Sequence, residues 1–268
     1  MLKALAKKIL RPVFKVVGFG RDFIPIVCGP LHGKKMLKEH GLVNLSMLFG
    51  TYESSFSNAF LNESKSSQVI YDVGSNVGYF SLLAALNTKS RIYSFEPIPE
   101  IAKQFRTLME LNELNEDVKL TEVALSDEIG KIDMVTPGTQ EQGLMVSALR
   151  GQKVDIDNSI LVNMTTLDHL VFEENYPPPD LIKLDVEGAE ALVLEGGERT
   201  LKHYKPRLLI EVHGLEPAEK CWSIFERCHA DVYRIDQNGE TKIQDRTQLM
   251  AIFNESKWKV MHVRVIIT

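Results

Sequence analysis

Tyr71-Asp72-Val73-Gly74-Ser75-Asn76-Val77-Gly78-Tyr79-Phe80 joins an apolar run, Gln68 to Asp72, to a helical pattern running from Val77 to about Ala85. A short apolar run ending in an acid reads as a buried strand. Gly74 permits a tight turn, and Gly78 permits close approach of a ligand or of the sheet. The first N–H groups of the following helix are unpaired and favour an anionic group. Asp72 places a negative charge just below the turn. The spacing is not that of a dinucleotide-binding turn, because Asn76 stands where a glycine would admit a pyrophosphate.

The pattern repeats on either side of this stretch. Arg91 to Phe95 is a second strand, ending at Glu96-Pro97, and Pro99 opens a helix with Ile101, Phe105, Leu108 and Met109 on one face. Val118 to Val123 is a third strand, followed by Ala124-Leu125-Ser126-Asp127. Leu181 to Leu184 runs into Asp185, with a helix from about Gly188. Arg207 to Val212, Asp231 to Asp236 and Met261 to Ile267 complete seven strands, with Gln237-Asn-Gly239 as a turn. Alternating strands and helices predict an α/β fold, a seven-stranded, mostly parallel sheet with helices on both faces. Residues 131–168 interrupt the alternation with strands at Lys131 to Val135 and Asn163 to Thr166, an inserted strand pair. The loop between them, Gly138 to Ser147, is expected to form a lid or acceptor wall. Residues 1–60 read as a basic helical N-terminal extension with loops around Gly29-Pro30 and Gly33, and 61–268 as the main domain.

The strand ends carry the chemistry. Glu96 lies 18 residues after Gly78, a spacing at which a carboxylate accepts hydrogen bonds from both hydroxyls of a ribose. That feature supports a nucleoside ligand without naming it. Main-chain groups near Ala124 and Leu125 are placed to meet an adenine edge. Lys183 and Asp185 share one side of their strand, and Glu211-Val212-His213 ends the next one. Glu187 and Glu190 also fit as helix-dipole partners, and for Glu190 that reading is preferred to a catalytic one.

In order, YDVGSNVGYFS, YSFEPIPE, EVALSDEIG, LIKLDVEGAEALVLEGG and LIEVHG resemble the FkbM-type methyltransferases over roughly residues 68–214, and GTYESSF at 50–56 fits the same pattern. The resemblance implies a Rossmann-like class I methyltransferase fold, S-adenosyl-L-methionine as cofactor, and O-methylation of a sugar-containing or other small-molecule acceptor. It places the donor against Asp72, Gly74, Ser75, Asn76, Gly78, Tyr79, Glu96, Pro97, Ala124, Leu125 and Asp185. A high-pKa hydroxyl needs a base as its new bond forms. His213 is the preferred base and Asp185 its orienter, with the two roles exchangeable, and Lys183 steadies an acceptor oxygen. A divalent metal on Asp185, Glu211 and His213 is the less favoured version. Two rival readings are an NAD-dependent oxidoreductase, against which Asn76 speaks, and a non-catalytic ligand-binding protein on the same fold.

Bulk properties narrow the partners. Of 268 residues, 44% are hydrophobic and 25% charged, ordinary values for a globular chain. The net charge of −5 divides into +7 over residues 1–40 and −12 over the rest. An acidic body argues against nucleic acid. Three cysteines with no zinc spacing suggest neither disulfides nor a structural metal, and a cytoplasmic setting is expected. No apolar run approaches the roughly 20 residues of a membrane span. Lysines and Arg11 interrupt the first twenty residues, which argues against a signal peptide. Weak contact of residues 1–20 with an anionic membrane is the alternative to a helix packed on its own domain, and the packed helix is preferred.

Overall fold

The structure is a computed structural model that describes residues 23–38, 45–135, 144–145, 159–255 and 260–268. Strands β1 (Phe23–Pro25) and β2 (Lys35–Leu37) form a hairpin around the Gly29 and Gly33 loops, followed by helices α1 (Leu45–Leu48) and α2 (Ser54–Ser64). Then come β3 (Val69–Val73), α3 (Tyr79–Asn87), β4 (Arg91–Phe95), α4 (Pro99–Leu111) and β5 (Val118–Thr121). β6 (Ala124–Leu125), β7 (Gly130–Val135), β8 (Leu144–Met145) and β9 (Ser159–Thr165) lead to α5 (Leu167–Phe172) and β10 (Leu181–Leu184). The remaining elements are α6 (Glu190–Glu195), α7 (Glu198–Tyr204), β11 (Arg207–His213), α8 (Leu215–Arg227), β12 (Ala230–Asp236), β13 (Gly239–Ile243), α9 (Arg246–Glu255) and β14 (Val260–Ile267).

The main sheet runs β13-β12-β14-β11-β10-β3-β4-β5. β5, β4, β3, β10 and β11 pair in parallel, and β14 lies antiparallel between β11 and β12. All seven predicted strands are present, in the order of a Rossmann-like class I methyltransferase sheet. An eighth, β13, follows the predicted turn. Its outward row is polar and exposed, so it has no apolar alternation to betray it. The third strand stops at Thr121, and Ala124–Leu125 joins a separate sheet of order β6-β9-β7-β8. The inserted pair is therefore part of a four-stranded sheet.

Side-chain alternation builds two cores. Val69, Tyr71 and Val73 point with Ile182, Leu184 and Ile210 toward α5 to α9. Ile70, Ile92, Leu181 and Leu209 point toward α2, α3 and α4, where Ile24, Ile26 and Leu48 also pack. The segment before β3 is thus built into one face of the sheet, and α2 crosses the expected boundary at residue 60. Residues 1–22, with the expected basic helix, lie outside the described residues, as does the expected lid loop apart from Leu144–Met145. Among the described residues, no helix is long and apolar enough to cross a membrane.

The order reverses at β3 and β10, and open α/β sheets bind ligands at such a switch point. The two strand ends meet closely. Gly74 sits at φ +71, and a Cβ there would fall 1.8 Å from the Asp185 carbonyl oxygen. Only glycine fits both the backbone and the space. Gly78, at φ +97, lies against Phe105 and Met109 of α4, so it serves helix packing.

Candidate active site

A cleft of about 590 Å³, partly open to solvent, lies at the carboxyl ends of β3, β4 and β10, beside β6. Gly74, Asn76, Glu96, Pro97, Ala124, Leu125 and Asp185 line it, seven of the expected donor contacts. Val73, Phe95, Ile98, Ile101, Val123, Met134, Val186 and Glu187 complete the wall and are not among the expected donor contacts. Met134 belongs to the small sheet, whose contribution no local motif announces.

Glu96 is 6% exposed at the cleft. Its Oε2 accepts from the Asn76 N–H at 3.1 Å and its Oε1 from the Ile98 N–H at 2.9 Å. Two bonds leave part of a carboxylate's accepting capacity unused. Burial pushes the carboxyl up to about 7, against the pull of those two N–H groups. Asn76, at φ +49, takes the left-handed turn position and accepts the Val77 N–H on its own Oδ1. Ser75 is buried, and its Oγ has no hydrogen-bond partner.

Gly78, packed on α4, and Ser75 are also absent from the lining, and three more expected contacts, two to the donor and one to the acceptor, lie away from the cleft. Asp72 is fully buried, takes a hydrogen bond from Ser81 Oγ at 2.5 Å, and stands 3.4 Å from Lys183 Nζ. Tyr79 is buried against Tyr52 and Phe80 in the α3 core. Lys183 is 2% exposed; its Nζ donates to the Gly74 carbonyl at 2.9 Å and lies 3.4 Å from Asp185 Oδ2. Burial pulls the Lys183 ammonium down, but Asp185 and Asp72 outweigh it and hold it above the ordinary range. Register explains the arrangement. Asp72 pairs with Lys183 on one side and Ser94 on the other, so this polar row faces α3 beneath the turn. Lys183 is a buried strut between the two strand ends, out of reach of an acceptor oxygen.

Beside the cleft, His213 stands among four carboxylates. Its Nδ1 is 2.9 Å from Glu190 Oε1, and its Nε2 is 3.5 Å from Glu187, 3.6 Å from Glu211 and 3.8 Å from Asp185. Burial pulls the imidazole down, yet Glu190 and Glu211 raise it to about 11. It therefore carries a proton at neutral pH. Glu190 is fully buried and also accepts the Gly188 N–H at 2.8 Å, so it is more than a helix-dipole partner. Burial pushes Glu187 up to about 7 against the opposing pull of His213. Glu187 sits at φ +53 in the turn before α6, which starts two residues later than expected.

A second group adjoins the first through Glu211. Glu211 pairs across the sheet with His262 of β14, at 3.2 Å from Oε2 to Nε2. Glu53, at φ +41 just before α2, faces the same point, where burial and then Glu211 push its carboxyl up to about 7. Two sets of potential ligand atoms, Asp185/Glu211/His213 and Glu53/Glu211/His262, each lie within 4.8 Å of one another.

Known proteins resemble the chain in sequence. The profile described as "Methyltransferase FkbM domain" matches residues 72–253. Hexuronic acid methyltransferase AglP of Haloferax volcanii is 28% identical over 164 residues, covering 59% of this chain and 62% of that one. 2-O-methyltransferase NoeI of Sinorhizobium fredii is 33% identical over 149 residues, covering 51% and 60%. The matches thus span about three fifths of the length of either relative.

Proposed function

The chain belongs to the FkbM methyltransferase family, and on that premise we propose that it moves a methyl group from S-adenosylmethionine to a hydroxyl oxygen of a sugar-containing or other small-molecule acceptor. The carrying observation is a cleft at the switch point that has Glu96 on one wall and opens on Asp185 and Glu187 at the other. The residues suit the donor. Glu96 has spare accepting capacity for ribose hydroxyls, and Ile98, Leu125 and Val123 offer an apolar bed for a base. The two relatives, one a hexuronic acid methyltransferase and one a 2-O-methyltransferase, support the sugar hydroxyl.

When bound, the donor supplies an electrophilic methyl group, so the chain must align the acceptor and take its proton. His213 already carries a proton at neutral pH and is a poor base there. Burial raises the Asp185 carboxyl above its ordinary range against the pull of Lys183, but its two oxygens already face cations, Oδ2 at 3.4 Å from Lys183 Nζ and Oδ1 at 3.8 Å from His213 Nε2, which leaves it badly placed to take a proton from an acceptor. Glu187 lines the cleft and titrates near 7, the value best matched to proton transfer at neutral pH. Glu187 is therefore the base, and protonated His213 orients it while Glu190 fixes the ring. Burying Lys183 between Asp72 and Asp185 keeps the two strand ends in register.

The test is incubation with labelled S-adenosylmethionine and a panel of neutral, amino and uronic glycosides, followed by mass spectrometry. An added methyl ether is the expected result. Donor bound tightly with no glycoside methylated would remove the sugar acceptor; NAD bound in place of the donor would remove the methyl transfer as well.

A further inference from the structure

We propose that Glu53, Glu211 and His262 form a site for one divalent transition-metal ion. Three separate parts of the chain supply the ligands: the residue before α2, the end of β11 and the start of β14. Their ligand atoms lie within 4.8 Å of one another. The matched residues 72–253 include Glu211 alone of the three; Glu53 lies in the GTYESSF stretch before them and His262 after them.

A second observation concerns individual atoms. Glu53 Oε2 and His262 Nε2 each have less than 1 Å² of accessible surface and no hydrogen-bond partner. His262 Nε2 is 3.2 Å from Glu211 Oε2 but lacks the alignment of a hydrogen bond. The other bond of the Glu53 carboxyl goes to Tyr52, so one buried oxygen of it and one buried imidazole nitrogen stay unpaired beside Glu211; folded proteins seldom leave such atoms so, and the two ask for a common partner. Two ligands on a tetrahedral ion with bonds of about 2.1 Å stand roughly 3.4 Å apart, which is the spacing of this imidazole and carboxylate.

The ligands are also held in place. The His262 ring stacks on Phe56 with centroids 4.6 Å apart at 27°, and strand register sets Glu211 opposite it. Two carboxylates and an imidazole suit Mn²⁺ or Zn²⁺ better than an all-oxygen ion such as Ca²⁺. The set differs from the Asp185/Glu211/His213 group, whose imidazole is already bonded to Glu190. An ion here would also offer a sugar diol or carboxylate a point of attachment beside the proposed acceptor site. Metal binding needs neither donor nor acceptor, so this inference and the proposed function fail separately.

The experiment is calorimetric titration of the chelator-treated full chain with Mn²⁺ and, separately, Zn²⁺. One equivalent is expected to bind. Glu53→Gln and His262→Gln should each weaken it at least tenfold, and His213→Gln less than threefold. Circular dichroism checks that the variants are folded. Pulsed paramagnetic resonance on the wild-type Mn²⁺ complex should show coupling to one histidine nitrogen, a measurement independent of any variant. No binding by the wild type, a bound Mn²⁺ without nitrogen coupling, or loss of binding in His213→Gln with retention in His262→Gln would overturn the assignment.

Discussion

The two halves of the cleft edge are built in opposite ways. The donor half comes from consecutive strand-turn-helix units, where each contact sits at a strand end and the turn that follows it. Its single cleft carboxylate, Glu96, is held by two main-chain N–H groups, those of Asn76 and Ile98. The acceptor half gathers Glu53, Asp185, Glu187, Glu190, Glu211, His213 and His262 from distant points in the chain. On the proposed function, the first half binds the donor through local strand-end geometry, and the second, built by long-range convergence, concentrates the titratable groups that would move protons.

The sharpest break of that contrast is Glu187→Gln. Losing a general base costs about a hundred- to ten-thousandfold in turnover. Affinity for S-adenosylmethionine, measured by calorimetry, should stay within about threefold because Glu96 and the turn are untouched. With the glycoside found by the methylation panel, His213→Gln should also slow turnover, by removing the orienting cation. If Glu187→Gln turns over normally, proton transfer does not run through the acceptor half as described.

Gly74→Ala attacks the one place where the halves share a backbone. The added Cβ would fall 1.8 Å from the Asp185 carbonyl oxygen, and φ +71 is strained for alanine. A loss of about 2–4 kcal/mol is expected from forced backbone movement at a positive-φ site. Urea denaturation reads it directly. A loss below about 1 kcal/mol would mean that the strand ends separate easily and that their contact does not hold the site.

This division also governed what could be read from residues alone. Most of the cleft wall on the donor side is legible because its signals are contiguous: a glycine turn at a strand end, then an acid at a fixed distance. Even so, Asp72, Tyr79 and Lys183 were assigned to ligands, whereas strand register and helix packing bury them. A buried Lys-Asp pair on adjacent strands has the same local signature as two exposed strand-end groups. The acceptor half was read in part, through Asp185 and His213. Glu190 was taken for a helix-dipole partner because its bond to His213 spans 23 residues. Glu53 lies in the GTYESSF stretch but has no role assigned by it, His262 lies in no motif, and only the packing of α2 and β14 brings them to Glu211. β13 and Met134 were missed for a related reason, since a polar edge strand and a small side sheet have little periodicity to show.

Glu96→Ala returns to the donor half with a smaller effect. Unpaired ribose hydroxyls cost about 1–3 kcal/mol, which is roughly a ten- to hundredfold loss of donor affinity. Turnover at saturating donor should change far less than in Glu187→Gln. Equal losses in donor affinity and turnover would merge the two halves into one cooperative network.

The smallest effect separates the halves by pH. Burial places the Glu96 carboxyl near 7, while His213 stays protonated until about pH 11. Only an ionised Glu96 has its full accepting capacity for ribose hydroxyls, so donor affinity should rise a few-fold from pH 6 to pH 8. Donor binding at pH 7 should then release a fraction of a proton, visible as a buffer-dependent calorimetric enthalpy. The sign for folding is the reverse. Because burial raises Glu96 above its ordinary 4.5, its protonated form favours the folded state. That stabilisation is complete below about pH 4.5 and is lost as pH rises through 7, so the ligand-free protein should weaken across the range in which it binds donor better. Glu96→Gln should flatten the donor-affinity trend, since it has no proton to exchange, and should reduce the stability trend only in part, because burial also brings Glu53 and Glu187 to about 7. His213→Gln should leave the donor-affinity trend intact, because its imidazole does not titrate between pH 6 and 8. A donor affinity that is flat with pH in the wild type would show that Glu96 is ionised throughout, and that the donor half is wetter than its burial implies.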